Sequence, residues 1–276
     1  MRGCSLIFAL YFAASACASS LGRALPLADG ETLGYRVSWS IVPGAGEIKI
    51  SAQQANAAPR PELVVTTTTA TRRLARLLLP FDAEAKSVFD LSTGTLRSLT
   101  EHSQQRDKRS EHRVDFDYAT RRATYLSSRA PAQTRLLPIP AGDPTDLIMG
   151  LLQTRSWDLK PGEKRDALVL FDDDFYELTI YMIRYEEVRT SLGTFPTIVL
   201  EPRMEKTPAK GMFKRGSSVR VWIAQNPERL PVKFEVEFKI GTGTATLESY
   251  TRPNPPSRAV APPMPPASPD AKNPRP

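Results

Sequence analysis

The sequence predicts a mainly β domain: one large curved antiparallel sheet of about a dozen strands, half-barrel or open barrel, with one amphipathic helix packed against it. Three observations carry this. Apolar residues recur with period two through most of residues 29–251, which gathers them on one face of a pleated sheet. Only 143–157 breaks into helical spacing. Finally, a dozen strands spaced about 4.8 Å apart would make a flat sheet roughly 55 Å wide, whereas a helix of about 14 residues is about 21 Å long and 10 Å across. So short a helix cannot cover that sheet, and the apolar face must curl on itself, split into two layers or be kept for a ligand.

The chain opens on an export pattern. Arg2 gives a positive start, and the apolar run from Leu6 to Ala14 is too short to span a bilayer. Small residues follow to Ser20, so 1–18 reads as a secretory signal peptide and the expected location is the periplasm or the outer membrane. Ala14-Ser15-Ala16-Cys17 resembles a lipobox, making Cys17 the candidate lipidation site and membrane anchor; Ala16-Cys17-Ala18 also suits ordinary signal peptidase, and both readings stand. Cys4 leaves with the leader, so the mature chain holds at most one cysteine and no intramolecular disulfide is expected.

Period-two strands then follow in order. Leu33, Tyr35, Val37, Trp39 and Ile41 alternate with Arg36, Ser38 and Ser40. After a turn at 43–46, Ile48, Ile50 and Ala52 complete an N-terminal hairpin. Further strands are expected near 62–71, 82–90, 96–104, 110–118, 121–127, 164–171, 174–188, 194–202 and 217–224. The cleanest alternation is Val232, Phe234, Val236, Phe238 and Ile240 against Lys233, Glu235, Glu237 and Lys239, with a Gly-Thr-Gly turn leading to 245–250. Arg72–Leu79 reads as a short helix or an apolar loop, its leucines set beside Arg72, Arg73 and Arg76. In the helical stretch, Asp143 is placed to cap, Pro144 suits the first helical position, and Leu147, Ile148, Leu151 and Leu152 recur at helical spacing up to Trp157. Residues 252–276, dominated by Pro, Ala and Ser, lack a periodic apolar face and read as a disordered tail, which leaves 29–251 as a single domain.

The formal charge of +7 at first suggests nucleic acid, but the leader and the tail carry more than half of it. No aromatic stacking motif accompanies the remaining basic residues, and no nucleic-acid partner is expected. Asp172, Asp173 and Asp174 lack the alternating ligands of a calcium loop and read as a hairpin turn. The two histidines, His102 and His112, fall in a charged run that reads as exposed strand ends. Ser217 and Ser218 lack the second glycine of a nucleophile elbow. A glycosidase carboxylate pair needs only a spatial separation that sequence does not show; apart from that, no catalytic constellation, metal site or cofactor motif stands out.

Several landmarks together resemble the bacterial exported proteins grouped as domain of unknown function 3108. They are Gly30-Glu31-Thr32-Leu33-Gly34-Tyr35, Asp143-Pro144 with its helix, Lys160-Pro161-Gly162-Glu163, Phe171-Asp172-Asp173, Gly193-Thr194-Phe195-Pro196-Thr197, Val221-Trp222-Ile223 and Leu230-Pro231-Val232. The resemblance implies an envelope location, and it brings no assigned activity or site. At the level of fold the architecture also looks like half-barrel lipoprotein carriers, which hold acyl chains against a concave sheet. The expectation is therefore a non-enzymatic envelope protein that binds a lipid or other amphiphile in an apolar groove, with Leu74, Leu77, Leu78, Leu79, Leu147, Leu151 and Leu152 as candidate groove or lip residues. The alternatives are a structural or assembly factor with a fully packed core, contacting another envelope protein, and a carbohydrate-active enzyme.

Overall fold

A computed structural model describes residues 23–55, 60–128, 134–209, 213, 217–239 and 241–255. The leader with Cys17, the tail beyond 255 and Ile240 lie outside the described residues.

Fifteen strands form one sheet. The first eight are β1 (Thr32–Trp39), β2 (Val42–Ala55), β3 (Glu62–Thr71), β4 (Phe81–Asp90), β5 (Thr95–Gln105), β6 (Lys108–Asp117), β7 (Arg122–Ser127) and β8 (Arg135–Pro138). The rest are β9 (Thr145–Asp146), β10 (Lys164–Phe171), β11 (Asp174–Thr190), β12 (Gly193–Arg203), β13 (Ser218–Ala224), β14 (Pro231–Phe238) and β15 (Gly241–Thr251). A short helix α1 (Arg73–Leu78) joins β3 to β4, and α2 (Leu147–Leu152), continued by a 3-10 turn at Gln153–Ser156, follows β9.

The order is a plain meander joined at its ends, β8 through β1, then β15 back through β9. The first and last strands pair along their length, with Leu33 opposite Tyr250 and Val37 opposite Ala245. The sheet therefore joins its first and last strands and opens between β8 and β9. Every pairing is antiparallel except β9 with β10. The two free edges are short, four and two residues, which leaves little exposed ladder for another strand to extend.

The strand count exceeds the expected dozen because β8 and β9 are too short to display a period. The first hairpin turns at Ser40–Ile41, where Ser40 takes φ 49, because Trp39 pairs with Val42 and Val37 with Gly46; 43–46 lies inside β2, and Ile41 is out of the strand and 95% exposed. The Gly-Thr-Gly segment is likewise strand: Gly241 pairs with Phe238, and its glycines make room for the Trp39 ring, which a Cβ on Gly243 would meet at 3.4 Å.

The predicted helix is shorter and more buried than expected. Residues 145 and 146 are taken up by parallel pairing with Val169 and Leu170, so Asp146, not Asp143, is the N-cap, accepting from Met149 N–H at 2.8 Å. Leu147, Met149, Gly150, Leu151 and Leu152 are all buried, so α2 has no solvent-facing stripe and fills the interior of the curl. Met149 and Leu152 join one apolar cluster with Leu33, Ile50, Leu63 and Leu247. Leu147 and Leu151 join another with Val169, Leu178, Ile198 and Val221. A third cluster carries Leu170 of β10 across the open seam onto Leu99, Val114 and Leu137, aided by Phe175 against Phe116, ring centroids 6.3 Å apart. Side-chain contacts thus close the barrel where backbone hydrogen bonds do not.

Candidate functional site

The seven predicted groove leucines separate into two groups. Leu147, Leu151 and Leu152 lie in the packed interior at 9%, 4% and 0% exposure. Leu74, Leu77, Leu78 and Leu79 stand on the outside, at 59%, 80%, 68% and 44%, on or just after α1. The structure does not bring the two groups into one groove.

The strand registers divide the body into two ends. At one lie the described chain termini: Asn254 N–H donates to Asp29 O at 2.7 Å and Arg23 N–H to Thr93 O at 3.1 Å. The other end gathers the Ser40–Ile41 turn, α1 and the turn between β5 and β6. There Arg72 N–H donates to Ala45 O at 2.8 Å, and Arg106 ties back to Pro80 O at 3.1 Å through its backbone and to Leu78 O at 3.1 Å through its side chain. Arg76 of α1 folds down onto Asp82 at 2.8 Å and Arg72, just before the helix, onto Glu47, while the leucines stay exposed. Beside α1 lies a surface groove of about 710 Å³ lined by Thr68, Asp82, Glu84, His102, Arg109 and Glu111 among others. These strand positions face away from the core, and charged and hydroxyl-bearing side chains line the groove, unlike the aliphatic wall of an acyl-chain cavity.

A second concentration of titratable groups sits at the open seam. His112, expected at an exposed strand end, is only 12% exposed in its side chain and stacks on Tyr125 at 5.5 Å. Its Nε2 is 3.3 Å from Glu101 Oε2 without hydrogen-bond geometry. Burial pushes the His112 imidazole below its usual range, against the pull of Asp172 and Asp173. The Glu101 carboxyl is pushed up to about 7, first by partial burial and then by repulsion from Asp146 and Asp172. Asp146, fully buried, is raised by desolvation, opposed by the Met149 N–H and Ser87. Asp172 occupies the hairpin turn expected of it, at φ 61 between paired Phe171 and Asp174.

Two of the motifs that carried the family resemblance, at 30–35 and 230–232, meet in packing. Glu31, 4% exposed in its side chain, has Oε1 2.8 Å from Arg155 Nη1, an approach that is a charge contact rather than a hydrogen bond. Arg155 also donates to Pro26 O at 2.7 Å, Glu228 O at 2.8 Å and Arg229 O at 3.2 Å. Arg229 returns to Arg155 O at 3.1 Å and Trp157 O at 2.6 Å, and the buried Tyr35 hydroxyl donates to Pro231 O at 2.9 Å. Sequence reading passed over Arg155 because an arginine near a helix end usually lies in solvent.

The chain matches the model of the family described as "Protein of unknown function (DUF3108)" over residues 34–248. Among curated proteins none matches it significantly. Of solved structures, it is similar to a β-barrel-like protein of domain of unknown function DUF1849 from Brucella abortus, with 7% identity and a TM-score of 0.52, covering 82% of this chain and 98% of that one. Two others cover comparable lengths. A candidate exported protein with a YmcC-like fold from Bacteroides fragilis has 13% identity, a TM-score of 0.33 and coverage of 83% and 98%. A candidate lipoprotein from Parabacteroides distasonis has 9% identity, a TM-score of 0.32 and coverage of 82% and 97%. The first likeness shows a shared fold; the other two scores are too low to carry an argument.

Proposed function

The chain belongs to the DUF3108 family of proteins of unknown function, and we propose that it is a non-enzymatic protein of the bacterial cell envelope, a structural or assembly factor that acts by surface contact through its α1 end. The observation that carries this reading is the packing of α2. Where an amphiphile carrier needs an open apolar groove, the concave side holds Met149 at 1% and Leu152 at 0% exposure. A guest there would have to expel the helix, whereas α1 offers apolar side chains outside with no rearrangement. Export rests on Arg2 and the apolar run that follows.

The test is the protein as purified from the envelope fraction. Native mass spectrometry is expected to give the mass of the processed chain alone, organic extraction no stoichiometric lipid, and a fluorescent fatty acid no saturable uptake. A lipid retained at one per chain would overturn the reading in favour of a carrier. A full-length chain in the cytosol would overturn the location.

A further inference from the structure

We propose that the α1 end is a membrane-contact tip that seats its leucines in the interface of an anionic lipid bilayer. The inference rests on the surface-contact reading above and names the partner.

The apolar groups there are aliphatic, and Leu74, Leu77 and Leu78 share one face of α1 by their i, i+3, i+4 spacing. Leu74, Leu77 and Leu78 rise from a six-residue helix, Leu79 follows, and Ile41 crowns the turn leading into β2, against which α1 packs. Their exposures run from 44% to 95%. A protein-binding patch draws its energy from aromatic and arginine anchors fitted to a shaped pocket, and leucine is under-represented among such hot spots. A leucine face on a short helix flanked by arginines is instead what an interface of headgroups and acyl chains accepts, because that medium has no fixed shape to match.

The charges agree. Arg72 and Arg76 are held by Glu47 and Asp82, while Arg73, Arg106, Lys108 and Arg109 stand with Asp107 on α1 and the turn between β5 and β6, and Glu84 and Glu111 line the groove behind them. The basic excess is placed to meet lipid phosphates while the leucines go deeper. The long arginine stems allow the charged heads to stay at headgroup level.

Position supplies the third argument. The described residues nearest the two termini, Arg23 and Asn254, are held at the opposite end of the body. Strands of about ten residues, such as β3, separate the two ends by about 33 Å. No helix among the described residues is long and apolar enough to cross a membrane; the contact proposed is interfacial and reversible.

The experiment is flotation of the mature chain from residue 19 onward, which carries neither the apolar leader nor Cys17, so that no leader or acyl anchor contributes. The vesicles are phosphatidylethanolamine with phosphatidylglycerol, compared with pure phosphatidylcholine. The expected result is binding to the anionic vesicles that weakens with salt, and a drop of about tenfold or more with Leu77→Asp/Leu78→Asp. Arg73→Glu/Lys108→Glu is expected to lower anionic-vesicle binding and flatten its salt dependence. Both pairs are exposed, so the thermal midpoint should not move, which separates lost contact from lost fold. Absence of vesicle binding, or binding indifferent to the leucine pair, would overturn the tip. If the protein is still exported and free of cargo, the surface-contact reading survives and the partner is a protein.

Discussion

Arg155→Met should be among the most damaging single changes outside the apolar core. The guanidinium is the partner of Glu31, whose side chain is 4% exposed, and it also serves the carbonyls of Pro26, Glu228 and Arg229. Methionine keeps the volume and removes the charge and every donor. Breaking a buried pair from one side leaves an uncompensated carboxylate and costs about 3–5 kcal/mol, a large share of the roughly 5–15 kcal/mol that holds a domain folded. At an m-value of about 2–3 kcal/mol/M, the urea midpoint should fall by roughly 1–2 M. Tryptophan fluorescence is a suitable probe, since Trp157 O is itself held by Arg229 at 2.6 Å. Adding Glu31→Gln to Arg155→Met should recover about 1–2 kcal/mol, because the amide removes the stranded charge although the carbonyls stay unserved. A midpoint shift below about 0.3 M with m unchanged, or a double variant no better than the single one, would refute the argument that this pair ties the 26–31 segment to the 228–230 turn.

The remaining predictions test other levels of the fold. Gly150→Ala should destabilise by about 1–3 kcal/mol, since its Cβ would lie 2.4 Å from Val169 Cγ1; combining it with Val169→Ala should restore part of that loss, read by the same urea titration. Glu101 titrates in the folded protein near 7, above its ordinary value, so the fold holds this proton more tightly than the unfolded chain does. Its contribution is complete below about pH 4.5 and is lost as pH rises through about 7. Glu101→Gln should remove that decline from a stability profile over pH 4–8, while the depressed His112 imidazole keeps its opposite slope, stability rising with pH toward its unfolded value of about 6.5. Deleting residues 256–276 should leave the thermal midpoint where it is. A deletion from 253 should lower it, because Asn254 donates to Asp29 through its backbone at 2.7 Å and its side chain at 2.8 Å.

The strands were legible wherever burial on one face imposed a period. Leu33 and Tyr35 announce β1 in that way, as Val232 and Phe234 announce β14. The sheet's closure was not, because the pairing of β1 with β15 joins residues more than 200 apart and leaves no local pattern. β9 is two residues long and announces nothing, yet it shifts the cap of α2 from Asp143 to Asp146. His112 looked exposed because its sequence neighbours are charged. In a strand those neighbours point to the opposite face, and His112 itself turns inward onto Tyr125. The leucines of the candidate groove were equivalent in sequence. Only the position of α1 at a turn and of α2 inside the curl separates the four that meet solvent from the three that do not.

That separation bears on whether the barrel could open. Leu147, Met149, Leu151 and Leu152 are each 9% exposed or less, and burying four such side chains contributes about 6–12 kcal/mol, of the same order as the whole stability of a domain. The helix is also fixed at both ends, by the Asp146 cap and by Arg155 in the turn that follows. Swinging it out as a lid would forfeit the packing together with those two attachments, and an acyl chain entering behind it could replace the apolar contacts but neither of the polar ones. A helix so placed behaves as a plug, and the energy of any lipid contact is then most readily found outside, where leucines are already in water and lose nothing by leaving it.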